Sequence, residues 1–130
     1  MTEHDVSRHF PRKARLLTPR DFQRVYKNGI KLIADPLYVR ALHRPEMEHD
    51  AELPGHRSRL GLSIGRKVGP AHERNRWKRA VREAFRRNRH HLRGAYDLVI
   101  GINWNADPEE AENVEKAFCS IIDRLNQRTP

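Results

Sequence analysis

The residues from Arg74 to Arg89 carry side chains whose type and spacing could grip a polyanion. Placed on a helix at about 100° per residue, Asn75, Lys78, Arg79, Arg82, Arg86 and Arg89 project within an arc of roughly 100°. Arg74 and Arg76 extend the same basic run, and Glu83 is the only acid within it. Solvated helices ordinarily mix both signs and gain from acid–base pairs at i,i+4. A strip of guanidinium groups at this density repels itself unless a phosphate backbone neutralises it, and release of condensed counterions then drives association. Trp77, Ala80, Val81, Ala84, Phe85 and Leu92 fall in a separate arc, so one side of this helix can be buried while the other meets a partner.

Aromatic residues offer a second chemistry. Phe22 and Tyr26 are spaced i,i+4 on a predicted helix and share a face, and Tyr38 lies on a predicted strand. They can be core residues, or they can floor a shallow groove in which single-stranded bases stack, at about 1–3 kcal/mol per base. In the second reading Arg20, Arg24 and Lys27 hold the backbone. The remaining reactive residue types form no arrangement. The eight histidines, His90-His91 among them, lack zinc-like spacing with cysteine, so no metal site is expected. Cys119 sits at an apolar phase and reads as a small buried residue. The carboxylates gather in a loop (Glu46, Glu48, Asp50, Glu52) and at a helix start (Asp107, Glu109, Glu110, Glu112), where the helix dipole explains them. Neither group suits two-metal phosphodiester hydrolysis, and the glycines follow no P-loop or dinucleotide pattern. The chain has equipment to bind RNA and no catalytic residues of its own.

The elements that position these residues follow from local signals. Thr18-Pro19-Arg20-Asp21 starts a helix with an N-cap, a proline at N1 and a box-like pair. It runs to Lys27 and ends at Asn28-Gly29, a left-handed cap signal. Ile30–Ile33 and Leu37–Leu42 read as extended, interrupted or bulged at Asp35-Pro36. Residues 44–58 read as a polar, mobile hairpin loop. Leu60–Ile64 alternates as a strand and leads through Gly65, Arg66, Lys67 and Gly69-Pro70 into the basic helix, which runs to about Leu92. Tyr96–Ile102 is the most apolar run and the best candidate for a central strand covered on both faces. Asp107-Pro108 starts a last helix with an apolar stripe at Ala111, Val114, Ala117, Phe118, Ile121, Ile122 and Leu125. The order α-β-β-α-β-α implies an α+β, two-layer α/β sandwich with a small, mostly antiparallel sheet. Residues 1–15, with Arg12, Lys13 and Arg15, read as a basic flexible arm, 16–126 as one domain, and 127–130 as a frayed tail. The net charge of +9 exceeds what solubility needs and points to nucleic acid or an anionic surface. No apolar run approaches the roughly 20 residues of a membrane span. No secretory signal is visible, and one cysteine fits a reducing cytoplasm.

The run Arg59-Leu60-Gly61-Leu62-Ser63-Ile64-Gly65-Arg66-Lys67-Val68-Gly69, followed by Arg74-Asn75-Arg76-Trp77-Lys78-Arg79 and Arg82-Glu83-Ala84-Phe85, resembles the signature of the protein subunit of bacterial ribonuclease P. Asp21–Gly29 is similar to the family's first helix, and the likeness covers roughly residues 12–125. The resemblance implies a ribonucleoprotein endoribonuclease that removes the 5′ leader from precursor tRNA. Its RNA would carry the chemistry and hold Mg²⁺, and the protein would bind that RNA and the leader and aid substrate and metal binding. It assigns Arg74, Asn75, Arg76, Lys78, Arg79, Arg82 and Arg86 to the RNA-facing basic motif. Phe22, Tyr26, Tyr38, Arg66 and Lys67 would belong to a leader-binding cleft. It implies a parallel β-α-β unit with a left-handed crossover, as in the second domain of ribosomal protein S5, and it implies partners in RNA rather than DNA or membrane. A structural or assembly RNA-binding protein of ribosomal type would show the same charge. A helix-turn-helix DNA reader would need a short helix–turn–helix pair that is missing here.

Overall fold

The computed structural model describes residues 17–129. The predicted arm residues Arg12, Lys13 and Arg15 lie outside them. Three helices and four strands run in the order α1 (Pro19–Asn28), β1 (Ile30–Ala34), β2 (Leu37–His43), β3 (Arg59–Ser63), α2 (Ala71–Asn88), β4 (Tyr96–Ile102) and α3 (Val114–Arg128), with short 3₁₀ turns between some of them. The strands form one mixed sheet in the spatial order β1-β2-β4-β3. The β1–β2 and β2–β4 pairs are antiparallel, whereas β3 and β4 are parallel and joined through α2. This is the expected α+β class with its parallel β-α-β unit. No helix among the described residues is long and apolar enough to cross a membrane.

The sheet has two unlike faces because side chains alternate along each strand. On one face Leu37, Val39 and Ala41 of β2, Leu60 of β3, and Leu98, Ile100 and Ile102 of β4 pack with Trp77, Val81 and Phe85 of α2 and Phe118, Ile121 and Leu125 of α3. This is the main core, and the predicted apolar stripes of both helices are buried in it. The other face holds a small cluster of Leu17, Val25 and Val99, with Phe22 and Leu42 against it. Here α1 covers only part of the sheet. The rest of that face is open.

Local chemistry explains α1. The Thr18 hydroxyl accepts from the Asp21 N–H at 3.1 Å, and the Asp21 carboxylate accepts from the Thr18 N–H at 3.0 Å, a complete capping box. The other end differs from the expected left-handed cap. Gly29 is extended at φ −81°, and glycine is needed there for space, because a Cβ would lie 2.6 Å from the Val25 carbonyl and 2.9 Å from that of Ala41.

Other expectations are corrected. Asp35-Pro36 is a two-residue reversal rather than a bulge, since Ala34 pairs with Leu37 across it. One interrupted strand thus becomes two, and the order is α-β-β-β-α-β-α. Residues 44–58 form no hairpin loop, because β4 lies between β2 and β3. The segment instead crosses the start of β4, where the Arg44 N–H donates to Ala95 O at 2.7 Å and Glu48 accepts from the Ala95 N–H at 2.9 Å. Glu48 also meets His43 at 2.6 Å. Lastly, α2 ends at Asn88 and tightens into a 3₁₀ turn over Arg89–His91, and α3 proper begins at Val114 after the turn Pro108–Asn113.

Candidate nucleic-acid interface

The face of α2 opposite Trp77, Val81 and Phe85 carries the basic strip. Asn75, Arg76, Arg79 and Arg82 are exposed, while Arg74, Lys78 and Arg86 are half-buried. The strip is electrically uneven. Arg86 is clamped by Glu83, with its Nε 3.2 Å from Oε2 and its Nη2 in a close contact with Oε1. Arg87 reaches both Glu83 and Glu115 at 3.6 Å. Hydrogen bonding from Arg86 holds the Glu83 carboxyl below its ordinary value despite some burial, so the clamp is charged at neutral pH. Among the described residues no ion pair engages Arg74, Arg76, Lys78, Arg79 or Arg82. The Nε of Arg74 is buried without an acceptor.

Arg89 leaves the strip. It is 4 % exposed, and its guanidinium lies 5.9 Å from the Phe85 ring centre. Burial pushes its pKa down. The cause is the loss of helical phase after Asn88, whose side-chain amide donates back to Ala84 O at 2.9 Å and across to Glu115 at 2.8 Å.

The open half of the second sheet face is a groove of about 270 Å³, lined by Tyr26, Lys31, Tyr38, Arg40, Ser63 and Gly101 among others. Tyr26 and Tyr38 are 43 % and 39 % exposed, unusual for rings beside a core. Arg40 ties one wall together. Its Nη1 donates to Tyr26 O at 3.2 Å, one of the carbonyls left open at the end of α1, and its guanidinium lies 5.5 Å from the Tyr26 ring centre. Phe22 does not line the groove. Its ring tip packs against Gly61, where a Cβ would come within 2.6 Å of the ring, and its centroid is 6.4 Å from that of Tyr26. Arg66 and Lys67 are exposed on the turn just past Ser63, beyond the groove rather than in it. Sequence reasoning passed over Lys31 and Arg40. Strand alternation from Tyr38 to Arg40 was the available signal.

An ion-pair network also ties α1 to the sheet. Asp97, 1 % exposed on β4, accepts two hydrogen bonds from Arg59, at 2.9 and 2.6 Å, and one from Arg44 at 2.8 Å. Arg59 continues to Asp21 at 3.5 Å, and Asp21 meets Arg24 at 3.3 Å. Burial raises the Asp21 carboxyl, but hydrogen bonds from Thr18 and the charge of Arg59 outweigh it, and the net shift is downward. Among the described residues no three His, Cys, Asp or Glu side chains converge as a metal site.

An exposed guanidinium strip and an aromatic groove with cations suit a polyanionic partner. The family model for ribonuclease P matches residues 10–126. The chain belongs to the ribonuclease P protein family. It is 35 % identical over 120 residues to the ribonuclease P protein component of Chlamydia trachomatis serovar L2, covering 92 % of this chain and 86 % of that one. It is 36 % identical over 128 residues to the component of Haemophilus influenzae strain PittGG, covering 95 % and 92 %. Among solved structures, the ribonuclease P protein of Staphylococcus aureus superposes with a TM-score of 0.66 at 28 % identity, over 86 % of this chain and 97 % of that one. That of Thermotoga maritima gives 0.59 at 28 %, over 87 % and 96 %. As a ribonuclease P protein, the chain is a component of a tRNA-processing ribonucleoprotein whose partner is ribonuclease P RNA.

Proposed function

We propose that this ribonuclease P protein binds the catalytic RNA through Arg74, Asn75, Arg76, Lys78, Arg79 and Arg82, and the single-stranded 5′ leader of precursor tRNA in the groove of Tyr26 and Tyr38. The observation that carries the reading is the pairing of an unneutralised arginine strip with an exposed aromatic groove on one small sheet. Phosphates discharge the strip, and rings that stack any base suit a leader of variable sequence. Arg66 and Lys67 extend the groove's positive border, and Phe22 supports Tyr26 from behind. Among the described residues no carboxylate set converges for a divalent ion, and in this reading Mg²⁺ is held mainly by RNA. The protein's contribution is positioning and electrostatic relief, while the RNA breaks the phosphodiester bond. The site of action is the cytoplasm.

The test is cleavage of precursor tRNA by a bacterial ribonuclease P RNA at low Mg²⁺. The protein should stimulate cleavage strongly and cleave nothing alone. Tight, salt-sensitive RNA binding without stimulation would favour an assembly role instead. Tyr26→Ala should weaken precursor with a leader and spare mature tRNA, and equal loss for both would make Tyr26 a core residue only.

A further inference from the structure

Lys31 and Arg40 stand directly opposite each other across β1 and β2, and both line the groove. Like charges at such a position destabilise a sheet. No carboxylate lines the groove to offset them, and neither cation joins an ion pair among the described residues. Lys31 alone would pass as the charged guard of an edge strand. That reading leaves Arg40 unexplained, since β2 is an interior strand. One Nη of Arg40 is spent on the Tyr26 carbonyl, which fixes the guanidinium and leaves further donors for a ligand.

The register sets the surroundings. Ile33, Tyr38, Gly101 and Ser63 form one row across the four strands, and Lys31, Arg40, Val99 and Gly61 form the next. The two cations therefore sit one row from Tyr38, with Tyr26 above Arg40. Tyr26 and Tyr38 are the two rings in the lining beside this pair. We propose that Lys31 and Arg40 form a phosphodiester subsite that takes one backbone phosphate of the single-stranded leader, so that the flanking bases fall on Tyr26 and Tyr38. The proposal rests on the leader reading of the groove. The subsite fixes which leader phosphate is held, and so sets the register of the strand, with no base read.

The test uses the holoenzyme reconstituted with ribonuclease P RNA and precursor tRNAs carrying one uncharged methylphosphonate linkage at each leader position in turn. With the unaltered protein, one linkage should weaken binding about tenfold, the size of a charged hydrogen bond. With Lys31→Ala or Arg40→Gln the same linkage should cause no further loss. Losses that multiply at every linkage would overturn the subsite. So would a Lys31→Ala defect that is equal for mature tRNA or for the RNA subunit alone, which would place the phosphate in another RNA. Tyr26→Ala separates the two levels. If its defect depends on the leader while the linkages show no coupling, the subsite fails and the groove stands. If its defect is independent of the leader, both fail. Thermal unfolding of Lys31→Ala should show an unchanged or higher midpoint, because a repulsion is relieved. A clear fall would assign Lys31 to the fold.

Discussion

The uneven neutralisation of the α2 strip gives a quantitative expectation for RNA binding. Each phosphate contact adds about 0.7–0.9 to the slope of log affinity against log salt, so one contact costs roughly threefold in affinity between 50 and 200 mM salt. Arg76, Arg79 and Arg82 are exposed and without an ion pair among the described residues. Replacing all three by Ala should flatten the slope by about two to three units. Arg86 points to the same side but is already held by Glu83. Arg86→Ala should therefore change the slope by less than about half a unit, because no phosphate contact is lost. Glu83→Gln frees Arg86 and releases Arg87 from one of its two acids, and should steepen the slope by about one unit per new contact. The assay is equilibrium binding of labelled ribonuclease P RNA across a KCl series at fixed Mg²⁺. An Arg86→Ala slope as flat as that of Arg79→Ala would refute the reasoning, as would a Glu83→Gln slope equal to that of the unaltered protein.

Other expectations concern the scaffold. Asp97→Asn should lower stability by about 2–3 kcal/mol in urea unfolding, because it breaks a buried, doubly bonded Arg59 pair whose partner keeps only Asp21; a loss under about 1 kcal/mol would show that the network is dispensable. Asp21 titrates low in the fold, so its contribution is complete above the ordinary aspartate value and lost as pH falls through the lower folded one. As pH falls below the ordinary aspartate value of about 4, Asp21→Asn should lose less thermal stability than the unaltered protein, and parallel curves would exclude the linkage. Burial, then Glu115 and Asp123, push the Cys119 thiol up, so it should react several-fold more slowly than free cysteine with a neutral disulfide reagent at pH 7.5; an equal rate would mean the site opens readily.

What could be read from the sequence was whatever is decided within a few residues. The Thr18–Asp21 capping box is closed by neighbours, and the two sides of α2 follow from a period of 3.6, so both were legible. Arg89 was misplaced because the α-helix stops at Asn88, whose side chain is held by Glu115, 27 residues away. The path of residues 44–58 depends on β4 lying between β2 and β3, a long-range pairing with no local signature. Phe22 and Tyr26 share a helical face, and Gly61 on a distant strand decides which packs down and which stays open. Asp97 was a missed signal of another kind. A lone acid inside the apolar run Tyr96–Ile102 requires a buried cationic partner, and Arg59, on the neighbouring strand, supplies it.

The two surfaces lie on opposite sides of the sheet, yet the chain joins them by its shortest basic segment. β3 is an edge strand that ends at Ser63 in the groove, and α2 begins only eight residues later at Ala71. The turn between them carries Arg66 and Lys67. The arginines of α2 without an ion pair among the described residues, Arg74 to Arg82, lie in the first two thirds of the helix after this turn, whereas the clamped Arg86 and Arg87 sit about 15 Å farther along, at 1.5 Å per residue from Arg76. Unpaired positive charge is therefore concentrated toward the end of α2 that follows the β3 edge. In the proposed function, a leader on Tyr26 and Tyr38 and an RNA on Arg76 and Arg79 would both be drawn toward the β3 edge. There Arg66 and Lys67 would offset the repulsion between the two phosphate backbones. Glu83 strengthens this focusing by discharging the far end, so its removal should broaden RNA contact along α2 at the cost of directing it to the groove.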